Sequence, residues 1–311
     1  MRTYPFYQVD AFTTRPLTGN PCAVILHADD LSTAEMQAIA RENNLSETAF
    51  VIQPSNADAD FAARYFTPAL EIPMAGHPTI ATIHTLVETG SIELQDSAGT
   101  VRLQLPAGIF PVTISTERKW AQVPARSSAT PGLSISMRQK APDFLRTYRA
   151  DELLPICGLA SSDFNDSAPQ TVSTGTPQLM IALKNRTALE HIRIDNQALD
   201  ALYQQGDFFS VHFFCLEQQN GLPCTFARHF VPPPNAFEDP FTGSATGGMA
   251  AYLWQNGLLT TKGFWAYQGA GMQRPGEAWV EVLTVENQTD QPHTDKTALA
   301  GVSVCGQAVT V

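Results

Sequence analysis

Two glycine loops decide the reading of this chain: Pro73-Met-Ala-Gly-His-Pro-Thr79 and Glu238-Asp-Pro-Phe-Thr-Gly-Ser-Ala-Thr-Gly-Gly248. A run of helical character follows each. In the first, Pro78 falls in the opening turn and Gly90 just past an end near Glu88, the asymmetry helices favour. In the second, the pattern closes at Gly257. Gly76 and Gly243 match at an offset of 167 residues.

Outward from the loops, the match extends. Thr18-Gly19-Asn20-Pro21, followed by Cys-Ala-Val-Ile25, recurs 156 residues on as Thr174-Gly175-Thr176-Pro177, followed by Gln-Leu-Met-Ile181. Arg64-Tyr-Phe66-x-Pro68 recurs 164 residues on as Arg228-His-Phe230-x-Pro232. Each match alone is at the level of chance. Three in one order, with offsets growing by small insertions, predict two pseudo-symmetric α/β halves of one design. A cleft between such halves is a common place for a small-molecule site.

Local signals fill in the first half. Ser32-Thr-Ala-Glu35 is a capping box, and Met36, Ile39 and Ala40 follow at helical spacing up to Asn43-Asn44. Thr48–Ile52 and Phe61–Phe66 read as strands. The stretch from Arg118 to Ser136 has no clear period, and the crossing between domains is placed near it.

Composition narrows the function classes. The 311 residues suggest about two domains, and 43% hydrophobic against 16% charged residues supply two ordinary cores. With 19 basic and 30 acidic side chains, the net charge is −11, and no Lys/Arg-rich run exists to hold a nucleic acid. Arg146 and Arg149 are the nearest approach. No apolar stretch has the length of a spanning helix, and the N-terminus has no signal-peptide core. Five cysteines without a C-x-x-C pair read as reduced thiols of a cytoplasmic protein, packed in the core or facing solvent.

Several chemistries are not supported. Gly243-Ser-Ala-Thr-Gly-Gly248 lacks the Lys-Ser/Thr of a phosphate loop, and Gly269-Ala-Gly271 lacks a third glycine. The seven histidines show neither H-E-x-x-H nor a zinc spacing, so no metal is implied, and His212 reads as a satisfied strand residue. No G-x-S-x-G occurs. What remains is Glu47, between a helix end and an apolar strand, where apolar surroundings would tune a carboxyl group toward proton transfer. The helix N-termini at the two loops suit a carboxylate or phosphate. Taken singly, Glu47 also reads as a surface side chain, and His77, Asp239 and Ser244 as loop polar groups or caps.

Together these residues carry a resemblance. Val9-Asp-Ala-Phe12, Gly19-Asn-Pro21, Asn44-Leu-Ser-Glu-Thr48, Ala75-Gly-His-Pro78 and Glu238-Asp-Pro-x-Thr-Gly-Ser-Ala245 strongly resemble the PhzF-like phenazine-biosynthesis family of the diaminopimelate-epimerase superfamily. Ser173-Thr-Gly-x-Pro177 and Gln268-Gly-x-x-x-x-Arg-Pro275 are similar to its signatures too. The match runs in unbroken order from residue 7 to about 285. It implies an α/β (α+β) fold of two similar domains, each a curved mixed sheet around a central helix. The expected division is 1–120, joined by a last strand at about 301–311, and 121–300. It implies a homodimer, no cofactor and a small carboxylate-bearing substrate. Glu47 matches the general acid/base of trans-2,3-dihydro-3-hydroxyanthranilate isomerase. His77 and Asp239 match polar residues of that site, and Gly76, Gly243 and Ser244 match loops whose amides hold the substrate.

Departures also inform. The racemases of the superfamily carry one cysteine in each glycine loop, whereas Ala75 and Thr242 stand there in this chain. One base on one face fits a same-face proton shift better than inversion. Gln273 replaces a glycine that often precedes Arg-Pro, and Glu286–Leu299 reads as an exposed polar insertion. Two alternatives stay open: a metabolite-binding or interaction protein on the same fold without turnover, and an epimerase, which would need a second base.

Overall fold

The structure is a computed structural model and describes residues 2–94, 96–116, 132–285 and 298–311. β1 (Phe6–Ala11) and β2 (Asn20–Ile25) pair antiparallel, with Ala11 opposite Asn20. The capping box forms as expected: the Ser32 hydroxyl accepts from the Glu35 N–H, and the Glu35 carboxylate accepts from the Ser32 N–H. It opens α1 (Thr33–Asn43), which ends at Asn44 in a left-handed conformation, φ 51°. This helix carries the chain across to β3 (Glu47–Ile52), which runs parallel to β2. β4 (Phe61–Phe66) and the short β5 (Glu71–Ile72) fold back antiparallel. After α2 (Gly76–Glu88), β6 (Ala98–Leu105) returns parallel to β4. β7 (Gly108–Ser115) and β8 (Ser134–Arg138) continue antiparallel.

The second half repeats these pairings in order. β9 (Asp143–Thr147) and α3 (Ala150–Cys157) lead to β10 (Gln170–Ser173) and its antiparallel partner β11 (Pro177–Leu183). α4 (Arg186–His191) and α5 (Asn196–Tyr203) cross over to β12 (Ser210–Gln219), parallel to β11. Two helices here, against one in the first half, lengthen the repeat offset from 156 toward 164. β13 (Leu222–Val231) and β14 (Phe237–Asp239) follow antiparallel, and then α6 (Gly243–Gln255). β15 (Gly263–Gln268) lies parallel to β13, and β16 (Gly276–Thr284) and β17 (Leu299–Gly306) run antiparallel beyond it.

Matching strands then join the halves. β8 pairs with β17 antiparallel. Beyond this seam each chain segment crosses: β9 pairs with β10, and β18 (Ala308–Thr310) pairs with β1. The expected domain crossing falls mainly on residues 117–131, and most of the polar insertion on 286–297, both outside the described residues.

α2 and α6 are the centres of the two halves. Residues 76–83 of α2 and 245–253 of α6 are all buried, so over these turns neither helix has a solvent face. A helix enclosed on all sides must be apolar all round or bond its own polar groups. Thr79 and Thr85 of α2 do the latter, donating to the carbonyls of Ala75 and Ala81 at 2.8 and 2.9 Å. Strands β1, β2, β3, β8 and β18 surround α2, and β10, β11, β16 and β17 surround α6. The fold is thus the expected mixed α+β arrangement of two pseudo-symmetric units, each a curved sheet about a helix. Among the described residues, no helix is long and apolar enough to cross a membrane.

Candidate active site

The two central helices meet N-terminus to N-terminus. A Cβ on Gly76 would lie 3.3 Å from the Cα of Gly243, and one on Gly243 would lie 2.9 Å from the ring of Phe12. Glycine at 76 keeps the backbone approach open, and glycine at 243 makes room for the Phe12 ring. Neither N-cap, Ala75 or Thr242, bonds its helix through a side chain, and neither first turn holds an acidic residue. Two partial positive charges therefore converge without an internal counter-charge, an arrangement that favours an anion.

These helix ends open on a cavity of about 510 Å³. Glu47, His77, Asp239, Gly76, Gly243 and Ser244 all line it, so the structure gathers every candidate the sequence singled out. Glu47 is there because α1 stops at Asn44 and β3 starts three residues later, at the cavity wall. His77 is the second residue of α2, and Asp239 the last of β14. Ser244 accepts from Gln178 Nε2 at 3.1 Å, and the Gly243 carbonyl accepts from Gln139 Nε2 at 2.8 Å.

His77 Nε2 lies 2.9 Å from Glu47 Oε2. The contact is close but off the line of an aligned hydrogen bond, so its strength is mainly that of charge on charge. The expected apolar setting of Glu47 is therefore one-sided: Ile72 and Met74 line the same cavity, while His77 stands directly against the carboxylate. Burial works to lower the pKa of His77, but Glu47 and Asp239 overcome it and raise it above the usual 6.5. Asp239 moves up from 3.8 to about 6, driven by burial, held back by His77 and pushed further by Glu47. Two carboxylates and an imidazole thus share one poorly solvated space, with Asp239 brought toward neutrality.

Asn20, which stands in the sequence within a repeated turn and a family motif but without an assigned role, is the hub. Its Nδ2 lies 2.8 Å from Asp239 Oδ1, 2.8 Å from the Phe241 carbonyl and 3.2 Å from His77 Nδ1. An amide has two N–H groups. The two oxygens at 2.8 Å match its two hydrogens, and the approach to His77 Nδ1 is the longer contact. The Thr242 hydroxyl donates to the other Asp239 oxygen, and Gln268 Nε2 to the Asp239 carbonyl at 2.7 Å. One signal could have found Asn20: the second copy of its turn has Thr176 at that place, a break in the repeat where the first copy carries a longer polar group.

His212 departs from expectation. Its Nδ1 meets His229 Nδ1 at 3.2 Å, but its Nε2 is buried without a partner, so it is only half satisfied. The five cysteines are free and all buried, and none lines the cavity. Among the described residues, no group of three or more His, Cys, Asp or Glu side chains stands where a metal ion could be held.

Comparison with known proteins identifies the family. The sequence model described as phenazine biosynthesis-like protein matches residues 9–311. A protein named trans-2,3-dihydro-3-hydroxyanthranilate isomerase from Pseudomonas chlororaphis is 31% identical, over 97% of this chain and 95% of its own. An uncharacterized isomerase, YfhB of Bacillus subtilis, is 32% identical over 91% and 92%. The crystal structure of a Bacillus anthracis phenazine biosynthesis protein of the PhzF family superposes with a TM-score of 0.82 at 30% identity, covering 100% of this chain and 98% of that one. The chain belongs to the PhzF-type, phenazine biosynthesis-like family, and is an isomerase.

Proposed function

We propose that the protein moves a proton between two carbons of a small carboxylated metabolite, without a cofactor, and that Glu47 carries the proton. The observation behind this is the 2.9 Å approach of Glu47 to His77 in a cavity that also holds Asp239 and two uncapped helix N-termini. The backbone N–H groups at Gly76, Gly243 and Ser244 would take the substrate carboxylate and fix the reacting, hydrogen-bearing carbon near Glu47. Glu47 would then remove a proton from that carbon and return one to a second carbon on the same face. His77 and Asp239 would hold polar substituents and stabilise charge as it develops. Acid/base catalysis of this kind contributes about 10²–10⁴-fold, and positioning must supply the rest. Ala75 and Thr242, rather than paired thiols, stand at the two helix N-caps, which supports a same-face shift over inversion. Five buried reduced thiols suit a cytoplasmic setting.

Proton NMR in D₂O with trans-2,3-dihydro-3-hydroxyanthranilate tests this reading. Isomerisation with solvent deuterium entering the ring, lost in Glu47→Gln, is the expected result. Turnover that survives in Glu47→Gln would remove Glu47 from the reaction. A folded wild type that leaves the compound unchanged would exclude that substrate.

A further inference from the structure

Beside the proton-transfer residues stands a titratable pair that the shuttle does not use. His212 of β12 and His229 of β13 face each other in register, both buried, with Nδ1 3.2 Å from Nδ1. Across the other edge of β13, His229 is opposite Asp239 of β14. The matching places in the first half are Ala49, Tyr65 and Ile72, aligned the same way across β3, β4 and β5. Tyr65 belongs to the core, its hydroxyl 3.0 Å from that of Thr79 in α2. His229 instead lines the cavity. The repeat is broken at the cavity wall, and a polar ring is what breaks it.

The pair determines its own tautomers. Of two facing Nδ1 atoms, one must donate and the other accept. Nε2 of His212 is buried with no partner. A buried N–H with nothing to receive it costs more than a bare lone pair, so His212 keeps its proton on Nδ1. Nδ1 of His229 then accepts, and the His229 proton sits on Nε2, the one ring nitrogen left to offer the cavity. Burial lowers the pKa of His212 to about 3. Burial and the neighbouring His212 take His229 well below its usual range. Both rings stay uncharged at neutral pH.

We propose that His229 is a substrate-recognising residue whose Nε2–H donates to an acceptor oxygen, carbonyl or hydroxyl, distinct from the carboxylate at the helix ends, with His212 as the positioning residue that fixes its tautomer. The proposal rests on the cavity being the isomerase site. A wall built to donate a hydrogen bond selects against analogues lacking that oxygen, because the buried donor is then left unpaired.

Two measurements test it. Long-range ¹H–¹⁵N spectra of the free protein report imidazole tautomers without any ligand. Protonation of His229 at Nε2 and His212 at Nδ1, unchanged between about pH 6 and 8, is expected. A proton on Nδ1 of His229 overturns the proposal. The second measurement is steady-state turnover of trans-2,3-dihydro-3-hydroxyanthranilate. His229→Leu should raise KM about 5- to 20-fold with little change in kcat, and His229→Gln, which keeps a donor near Nε2, should recover most of the loss. His212→Leu should raise KM less, by releasing the tautomer. An unchanged KM in His229→Leu, or a loss confined to kcat, also overturns the proposal. If the wild type neither binds nor converts the compound, the isomerase reading fails for that compound, and the nitrogen spectra alone decide the donor assignment.

Discussion

A Cβ placed on Gly76 would stand 3.3 Å from the Cα of Gly243, so two helices from opposite halves of the chain meet at a distance that a methyl group would tighten by a few tenths of an ångström. The Gly243 side is tighter, since its Cβ would come within 2.9 Å of the Phe12 ring, which is itself stacked on Phe241 at 4.3 Å. Gly243→Ala should cost about 1–3 kcal/mol in a denaturant melt and Gly76→Ala less, because overpacking must displace buried neighbours. Both should lose turnover out of proportion to stability. Equal stability of Gly243→Ala and wild type would show that the Phe12 ring yields to the added methyl group.

Asp239 and His77 make stability depend on pH in the same direction. Burial, opposed by His77 and aided by Glu47, raises Asp239 from 3.8 to about 6, and the two carboxylates outweigh burial to raise His77 above 6.5. The native state holds both protons more tightly than the unfolded chain does. The stability from Asp239 is therefore full below 3.8 and lost as pH climbs through about 6, and that from His77 is lost past its own raised value. Asp239→Asn should flatten the decline in unfolding free energy between about pH 4 and pH 6. Melts of both proteins across that interval check it, and parallel curves would count against it.

Asn20 reaches Asp239, 219 positions further along the chain, through its amide nitrogen. Asn20→Ala leaves the Asp239 carboxylate and the Phe241 carbonyl each short of a donor, a loss of about 1–3 kcal/mol. It also removes an interaction that favours the charged form of Asp239, whose pKa should then rise above its value of about 6. A carbon-13 titration of the Asp239 carboxyl group would report that rise, or its absence.

Arg274 holds a second buried carboxylate. Its Nη2 lies 2.5 Å from Asp10 Oδ1, and its Nε donates to the Gly19 carbonyl at 3.0 Å. Asp10 is fully buried, so Arg274→Ala strands a charge, and a loss of about 3 kcal/mol follows, discounted for the part of Arg274 that reaches solvent. Adding Asp10→Asn should recover much of it. A double variant no more stable than Arg274→Ala would mean that Arg274 acts through its packing and its bonds to backbone carbonyls, not through the Asp10 charge.

What the sequence disclosed was local or repeated. The Ser32 capping box, the helices at Gly76 and Gly243, and the strands at Thr48–Ile52 and Phe61–Phe66 all follow from short-range patterns that survive in the folded chain. The gathering of Glu47, His77 and Asp239 was legible through family likeness, because no spacing rule links a strand start to a helix turn some thirty residues later. Asn20, Thr242 and Gln268 were not legible as partners of Asp239. Their roles depend on which groups face a buried carboxylate across the halves, and short polar side chains look alike in turns and in active sites. His229 was hidden for a related reason: a lone histidine in an apolar strand carries no mark of the cavity beside it.

The crossing of β18 back to the first half has a consequence in time as well as in space. β18 lies beside β1, with Thr310 opposite Val9. During synthesis the sheet around α2 therefore waits, one strand short, until residues 308–310 have left the ribosome. The half that is made first is the half that is finished last.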